Sequence, residues 1–195
     1  MKERPILFSG PMVSAILSDQ KSLTRRIVKH PERLEGLMLD GEAGEWCPYG
    51  NVGDRLWVRE TWGTIQQYDP LPPTGVPIGS PVGFKATADI AGWCQTGCNG
   101  AAGKWRPSIF MPRWASRITL EITEVRVERL QEISYPDIRA EGIVVSLRDG
   151  AEVTFAEDLV NAWQQGWDKL NAKRGFGWQV NPWVWVIEFK RLAQG

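Results

Sequence analysis

The feature that most constrains the fold is a long alternating segment, Ser116–Arg129. From Ile118 to Ile122 every second residue is apolar, which is the period of a strand with one buried face. The apolar phase then shifts to Val125, and this shift predicts a β-bulge near Glu124. The chain is therefore predicted to contain a long sheet strand that bends partway along its length.

Shorter segments predict further strands and a few helices around this strand. The predicted strands are Ile6–Phe8, Arg55–Trp62, Val82–Ala86 and Trp183–Phe189, and the predicted helices are Pro11–Asp19, a short one after Ser134, and Thr154–Asn171. Regular helical patterns do not separate the strands, which argues against a doubly wound parallel sheet. The pattern predicts an α+β fold, a small and partly open mixed β-barrel with peripheral helices.

Two tryptophans indicate which face of the last predicted helix is buried. The sequence from Thr154 matches a capping box, and Trp163 and Trp167 then fall on one apolar stripe at helical spacing. We interpret both tryptophans as core residues rather than as a platform for a ligand.

The length of 195 residues fits a single domain, residues 1–195, with an irregular insertion at about 63–104. The insertion is rich in Pro and Gly, and a loop of this length inside a compact domain is usually functional or mobile. We predict that it lies as a lid over the mouth of a pocket, with little regular structure.

Charge and hydropathy narrow the classes of function. The 23 basic and 23 acidic residues balance, so nucleic-acid binding would need a local basic patch. No stretch of about 18 apolar residues predicts a membrane span, and the N-terminus lacks the apolar core of a signal peptide. We therefore expect a cytoplasmic protein with no membrane contact, no cofactor and no obligatory protein partner.

Three cysteines, Cys47, Cys94 and Cys98, raise the question of a metal site. Their odd number argues against a disulfide framework. Together with His30 they would supply four zinc ligands, but structural zinc sites more often show tighter paired spacings. We interpret the cysteines as reduced thiols without a metal, and zinc is the alternative.

The stretch Ser18–Arg26 concentrates hydroxyl and basic side chains. In an extended segment the side chains alternate, so Ser22, Thr24 and Arg26 would point one way. These side chains would line the mouth of a pocket, and Lys21 would be an exposed residue at the same mouth. A solvated basic turn after a helix is the alternative, and the stretch by itself leaves both interpretations open.

Five short motifs occur in the order found in a known family. They are Lys21–Arg26, Gly53–Glu60, Met111–Arg117, Ala140–Ile143 and Val184–Phe189. With these motifs the chain resembles the ASCH domain, a family with a PUA-like β-barrel, and in particular long ASCH-domain proteins of phages and prophages. The resemblance extends over nearly the whole chain, with residues 63–104 the least covered.

The resemblance also implies an activity, because the family includes small bacterial amidohydrolases that deacetylate N4-acetylcytidine. Their motif reads Gly-x-Lys-Thr-x-Thr-x-Arg, in which the Lys and the second Thr are catalytic together with a distant Glu. Lys21, Thr24 and Arg26 match this motif, and we place the distant Glu at Glu141.

Two positions depart from the family motif. Asp19 stands where the motif has Gly, and Ser22 stands where it has the first Thr. A carboxylate of Asp19 near Lys21 would hold the lysine protonated, which opposes a role as a base.

The residue types fit amide hydrolysis. A lysine removed from water loses basicity, so Lys21 would act as general base on the Thr24 hydroxyl or on a water. Thr24 would be the nucleophile or a proton relay. Glu141 would accept a hydrogen bond from a cytosine exocyclic amine and later protonate the leaving amine. A solvated glutamate in a helical turn is the alternative for Glu141.

The candidate substrate contacts are Ser22, Arg26, Glu60 and Trp62. Glu60 shares an apolar strand face with Leu56 and needs a partner there, for which Arg26 is the candidate. Trp62 continues that face and either stacks on a base or packs in the core.

A non-catalytic module that binds RNA, DNA or a modified base is the second class of function. Arg25, Arg26 and Arg59 would then contact phosphates. A narrow cup around Lys21 would favour a nucleoside, whereas a continuous basic groove would favour a polymer. A nuclease is not indicated, because the sequence shows no cluster of metal-binding carboxylates.

Overall fold

The computed structural model describes residues 1–34, 47–87, 101–143 and 156–193, which form a mixed α+β fold. The strands of its main sheet are β1 (Glu3–Leu7), β2 (Leu23–Ile27), β3 (Arg55–Arg59), β7 (Thr119–Arg129) and β8 (Trp183–Arg191). The sheet order is β1-β3-β7-β8-β2. Only β1 and β3 are parallel. Within the described residues the sheet is open, with β1 and β2 at its edges.

The long alternating segment forms β7, and its predicted bulge is confirmed. The pairing of β7 with β8 shifts between Ile122 and Glu124, where the apolar phase of the sequence changes. Leu120 and Ile122, before the shift, are fully buried in the core. The bend lets β7 continue along β8 to Arg129 after its buried face has changed.

The predicted strand Arg55–Trp62 and the predicted irregular insertion both need correction. The strand ends at Arg59, and β4 (Trp62–Ile65) pairs instead with β5 (Gly83–Phe84) and β6 (Ala102–Arg106) in a second, three-stranded sheet. The reason is a separate hydrophobic cluster, which consists of Trp62, Val76, Met111 and Ala115. Residues 88–100 of the insertion lie outside the described residues.

Three helices flank the main sheet in the described part of the chain: α1 (Gly10–Leu17), α2 (Tyr135–Ala140) and α3 (Ala156–Asn171). The predicted cap of α2 is confirmed, because Ser134 accepts a hydrogen bond from the backbone N–H of Asp137. The capping box predicted at Thr154 falls outside the described residues. No helix in the described ranges is long and apolar enough to cross a membrane.

Two hydrophobic clusters cover opposite faces of β2. Leu23 packs in the cluster that contains Trp163 and Trp167 of α3, so the prediction of these tryptophans as core residues is confirmed. Because side chains alternate along a strand, Thr24 and Arg26 lie on the other face, which carries Phe8. The edge of β2 therefore lies between α3, which carries the two tryptophans, and the N-terminal segment, which carries Phe8.

Candidate active site

The central feature of the site is an ion pair between Lys21 and Glu141. The Lys21 Nζ lies 2.6 Å from Glu141 Oε2, and Lys21 is only 3% exposed. The same ammonium donates to the backbone oxygens of Leu23 at 2.7 Å and Glu141 at 2.9 Å. All three N–H groups of the ammonium are therefore satisfied, as a buried charge requires.

Tight turns on both chains bring this pair together. Asp19 follows α1 in the left-handed region at φ 57°, which short polar residues tolerate, and the chain then reverses into β2. Glu141 caps the C-terminus of α2, and Gly142 follows at φ 78°. A Cβ on Gly142 would lie 2.9 Å from the Ala15 side chain and 3.0 Å from that of Lys21. Only glycine fits this close approach without a shift of its neighbours.

Burial and charge act on Lys21 in opposite directions. Burial lowers the pKa of Lys21 below its ordinary value, and the neighbouring Glu141 carboxylate raises it without fully compensating. The Lys21 ammonium and the Arg26 guanidinium also share the ring of Phe8, at 5.8 and 5.1 Å from its centroid. A lysine in this environment loses its proton more readily than one in water.

The other oxygen of Glu141 is held by β2. Its Oε1 accepts a hydrogen bond of 2.8 Å from the backbone N–H of Arg25. The buried Arg25 side chain pairs with Asp137 at 2.6 Å and with Glu128 at 3.1 Å. Arg126 binds the same two carboxylates. This network fixes the end of α2 against the sheet and so orients the Glu141 carboxylate.

A cavity of about 650 Å³ lies along the free edge of β2. Thr24, Arg26 and Glu141 all line it. Its other walls are partly aromatic, with Tyr49, Trp163, Trp167 and Phe176. Lys21 is not a lining residue and reaches the cavity through Glu141. The structure therefore brings Lys21 and Glu141 into contact, and Thr24 and Glu141 both line the one cavity.

Arg26 lines this cavity but is not bound to Glu60. Its Nη2 donates to the backbone oxygen of Leu7 at 2.7 Å. Glu60, only 1% exposed, instead pairs with Arg117 through two hydrogen bonds of 2.9 and 3.0 Å. The expected Arg26–Glu60 pair is therefore wrong, because the strand breaks at Glu60 and turns it to the segment before β7.

Three expected substrate contacts lie away from this cavity. Trp62 is fully buried, with its ring edge-on to Trp114 at 6.3 Å, so it packs in the core of the second sheet. Ser22 is exposed, and its backbone bridges Ala140 and Phe189. Neither these two residues nor Glu60 lines the cavity. The structure offers no contact for them with a ligand bound there.

The predicted lid is also wrong for the described part of the insertion. None of the described residues in 63–87 or 101–104 lines the cavity beside Glu141. Tyr49, α3 and the segment after it, up to Phe176, take that place. The sequence signal for α3 was its aromatic stripe, which predicted core packing and did not reveal that the same rings face a cavity.

Asp19 does not hold Lys21 protonated. Its exposed carboxylate pairs with Arg191 at 3.0 Å, so Glu141 supplies the carboxylate that touches Lys21. Asp19 thus adopts the left-handed backbone that a glycine adopts easily, and its side chain turns outward.

The cysteine and histidine positions give no support to zinc in the described ranges. Cys47 is a buried free thiol in the core, and burial raises its pKa. His30 is exposed, and its imidazole contacts Glu32. Cys94 and Cys98 fall outside the described residues. Among the residues that the structure describes, no group of three metal-binding side chains occurs.

Comparison with known proteins adds one distant structural similarity. No protein-family model and no curated protein matches the chain. Among solved structures, it is similar to the ASCH domain from Lactobacillus crispatus JV V101, with 13% sequence identity and a TM-score of 0.40. The match covers 97% of this chain and 79% of that chain. A similarity at this level does not carry over an activity or the role of a residue.

Proposed function

We propose that this chain is an ASCH-type amidohydrolase that acts on N4-acylated cytidine or a related modified nucleoside. The observation that carries the proposal is the buried Lys21–Glu141 pair, whose carboxylate lines a cavity beside Thr24. A potential base, a hydroxyl and a carboxylate are the groups that amide hydrolysis needs. The five motifs that resemble the ASCH family support the same activity.

The first step of the proposed reaction is a proton transfer within the pair. Lys21 passes a proton to the Glu141 carboxylate at 2.6 Å, which leaves a neutral amine beside a carboxylic acid. Burial favours this exchange, because it lowers the pKa of Lys21 and because two charges are costly in the interior.

The second step uses both products of that transfer. A water that enters from the cavity beside Glu141, or the Thr24 hydroxyl, would have to approach the Lys21 amine and give it a proton, and the oxygen of that water or hydroxyl then attacks the acyl carbon. The C–N bond breaks as Glu141 gives its proton to the leaving N4 amine, so that cytidine forms and the ion pair is restored. With water as nucleophile the acyl group leaves as a carboxylic acid, which then loses its remaining proton to solvent. With Thr24 it remains as an ester, which a water hydrolyses in a second cycle.

The size and walls of the cavity support a nucleoside as substrate. A volume of about 650 Å³ lies in the range of small-molecule sites. The aromatic residues Tyr49, Trp163 and Phe176 supply faces suited to a planar base. Arg26, which also lines the cavity, would bind a polar group of the sugar or of a phosphate.

The second candidate function is a non-catalytic module that binds RNA, DNA or a modified base. Lys29 and Arg174 favour it, because both are exposed and line the same cavity as Arg26. Cations at that position suit the phosphate of a polymer.

A substrate panel separates the two candidates. Purified protein is incubated with N4-acetylcytidine and with O-acetylated cytidine, and the released products are followed by chromatography. The proposal predicts cytidine and acetate from the N4-acetyl compound, with the O-acetyl ester as control for unspecific esterase activity. No hydrolysis of any N4-acylated nucleoside, with salt-dependent binding of single-stranded RNA, would support the binding module instead.

A further inference from the structure

The free edge of β2 carries backbone groups that the sheet does not use. Val28 donates its N–H to Trp183, and Ser22 accepts from Phe189, each at 2.9 Å. The Ser22 carbonyl and the backbone groups of residues 24, 26 and 28 therefore face β8, and the backbone groups of residues 23, 25 and 27 face outward.

Two of these outward-facing backbone groups form hydrogen bonds with the side chains of Lys21 and Glu141. The carbonyl of Leu23 accepts from the Lys21 ammonium, and the N–H of Arg25 donates to Glu141. The next two groups along the same edge are the carbonyl of Arg25 and the N–H of Ile27. Neither takes part in a hydrogen bond among the described residues, and both Arg25 and Ile27 line the cavity.

We propose that this acceptor–donor pair reads the base of the substrate and selects a 4-aminopyrimidine over uracil. The inference rests on the proposed function and names the part of the substrate that the site recognises. The Arg25 carbonyl would accept from the N4–H of cytosine, and the Ile27 N–H would donate to its N3. Uracil presents an acceptor at O4 and a donor at N3–H, which is the reverse pattern.

The order of groups along the edge agrees with the chemistry. From Ile27 towards the N-terminus of β2 come the free N–H, the free carbonyl of Arg25, then Glu141 on the Arg25 N–H and Lys21 on the Leu23 carbonyl. An N4-acyl cytosine keeps one N4–H. With its N3 at Ile27 and its N4–H at Arg25, its acyl group extends towards Glu141 and Lys21.

The surroundings of the edge suit a planar ring. A ring that continues the plane of the sheet from β2 lies between the two hydrophobic clusters. Met12 and Tyr49 pack against one cluster, and Trp163 and Trp167 belong to the other. All four residues line the cavity, so the base would have apolar walls on both faces.

Equilibrium binding of unreactive nucleosides to the wild-type protein tests this inference. Cytidine is compared by calorimetry with 3-deazacytidine, which lacks the N3 acceptor, with N4,N4-dimethylcytidine, which lacks the N4–H, and with uridine. We expect each of the three to bind about tenfold or more weakly than cytidine, because each leaves a buried backbone group unpaired. Equal binding of cytidine and 3-deazacytidine, or no binding of cytidine, would overturn the inference.

A backbone variant gives a second, independent readout. Ile27→Pro removes the proposed donor and shortens the side chain that packs against the Trp163 cluster, and an edge strand tolerates proline where its N–H is unpaired. It should lose the preference for cytidine over 3-deazacytidine, whereas Ile27→Val, which keeps the N–H, should retain it. A folded Ile27→Pro protein that still prefers cytidine would contradict the assignment. Selective cytidine binding without deacylation would contradict only the proposed function, and deacylation without this selectivity only the inference.

Discussion

Lys21 and Glu141 form a buried ion pair of 2.6 Å that ties the chain after α1 to the C-terminus of α2. The sequence predicts Lys21 as an exposed pocket residue, and the replacement of such a residue would leave the fold intact. Its burial changes that expectation, because the loss of one partner leaves the other charge uncompensated in the interior.

The first prediction concerns the stability of this pair. Lys21→Met should lower the free energy of unfolding by about 3–5 kcal/mol, since it leaves the Glu141 carboxylate buried without its partner. The double variant Lys21→Met/Glu141→Leu should recover much of this loss, because neither charge of the pair is then left buried without its partner. Urea denaturation of the three proteins measures both effects. A single variant as stable as the wild type would mean that the pair is not buried in solution.

The second prediction concerns the glycine beside the pair. A positive φ costs a residue with a Cβ about 1–2 kcal/mol. Gly142→Ala should lower the free energy of unfolding by more than this, because the added Cβ also contacts Ala15 and Lys21. Gly79→Ala is the matched control, with φ 84° and no atom within 4 Å of the added Cβ. Thermal denaturation should show the larger loss for Gly142→Ala. Equal losses of stability would show that the contacts of the added Cβ with Ala15 and Lys21 do not destabilise the fold.

The third prediction is a pH dependence that arises from Asp137. Burial raises the pKa of Asp137, but hydrogen bonds and charges from Arg25 and Arg126 outweigh it and hold the pKa below the ordinary 3.8. Its contribution to stability is therefore present above about pH 3.8 and is lost as the pH falls through the lower folded-state pKa. Denaturation across the acid range should show a smaller loss of stability for Asp137→Asn than for the wild type. Parallel curves would contradict the pairing.

The fourth prediction separates binding from turnover at Arg26. Arg26 lines the cavity without touching Glu141, so Arg26→Ala should raise KM more than it lowers kcat. Arg113→Ala is the control, because this exposed arginine pairs with Glu3 away from the cavity. Steady-state kinetics on N4-acetylcytidine give both constants. A fall in kcat at constant KM would assign Arg26 to the chemical step instead.

Local patterns predicted those parts of the fold that local forces decide. The phase shift of β7 and the Ser134 cap depend on neighbouring residues, and both are found. The partner of Glu60 and the direction of Trp62 depend on Arg117 and Met111, which are far away in the sequence. Alternation alone could not reveal that the strand breaks between them.

The same distinction applies to the site. The spacing of Lys21, Thr24 and Arg26 predicts a shared mouth only if the segment is extended, and β2 supplies that geometry. The aromatic walls come from α3 and Tyr49, whose position beside β2 follows from the packing of the helix on the sheet. No sequence pattern near Lys21 contains that information.

The measurement that tests the central claim most directly is the rate at which Glu141→Gln protein converts N4-acetylcytidine to cytidine. Glutamine keeps the size of the side chain but neither takes the proton of Lys21 nor returns one to the leaving amine. We predict a fall of about 10²–10⁴-fold relative to wild type, the usual contribution of a general acid or base. Glu60→Gln, the same change in a buried pair away from the cavity, should keep its turnover once folded. A folded Glu141→Gln protein with the wild-type rate would contradict the account.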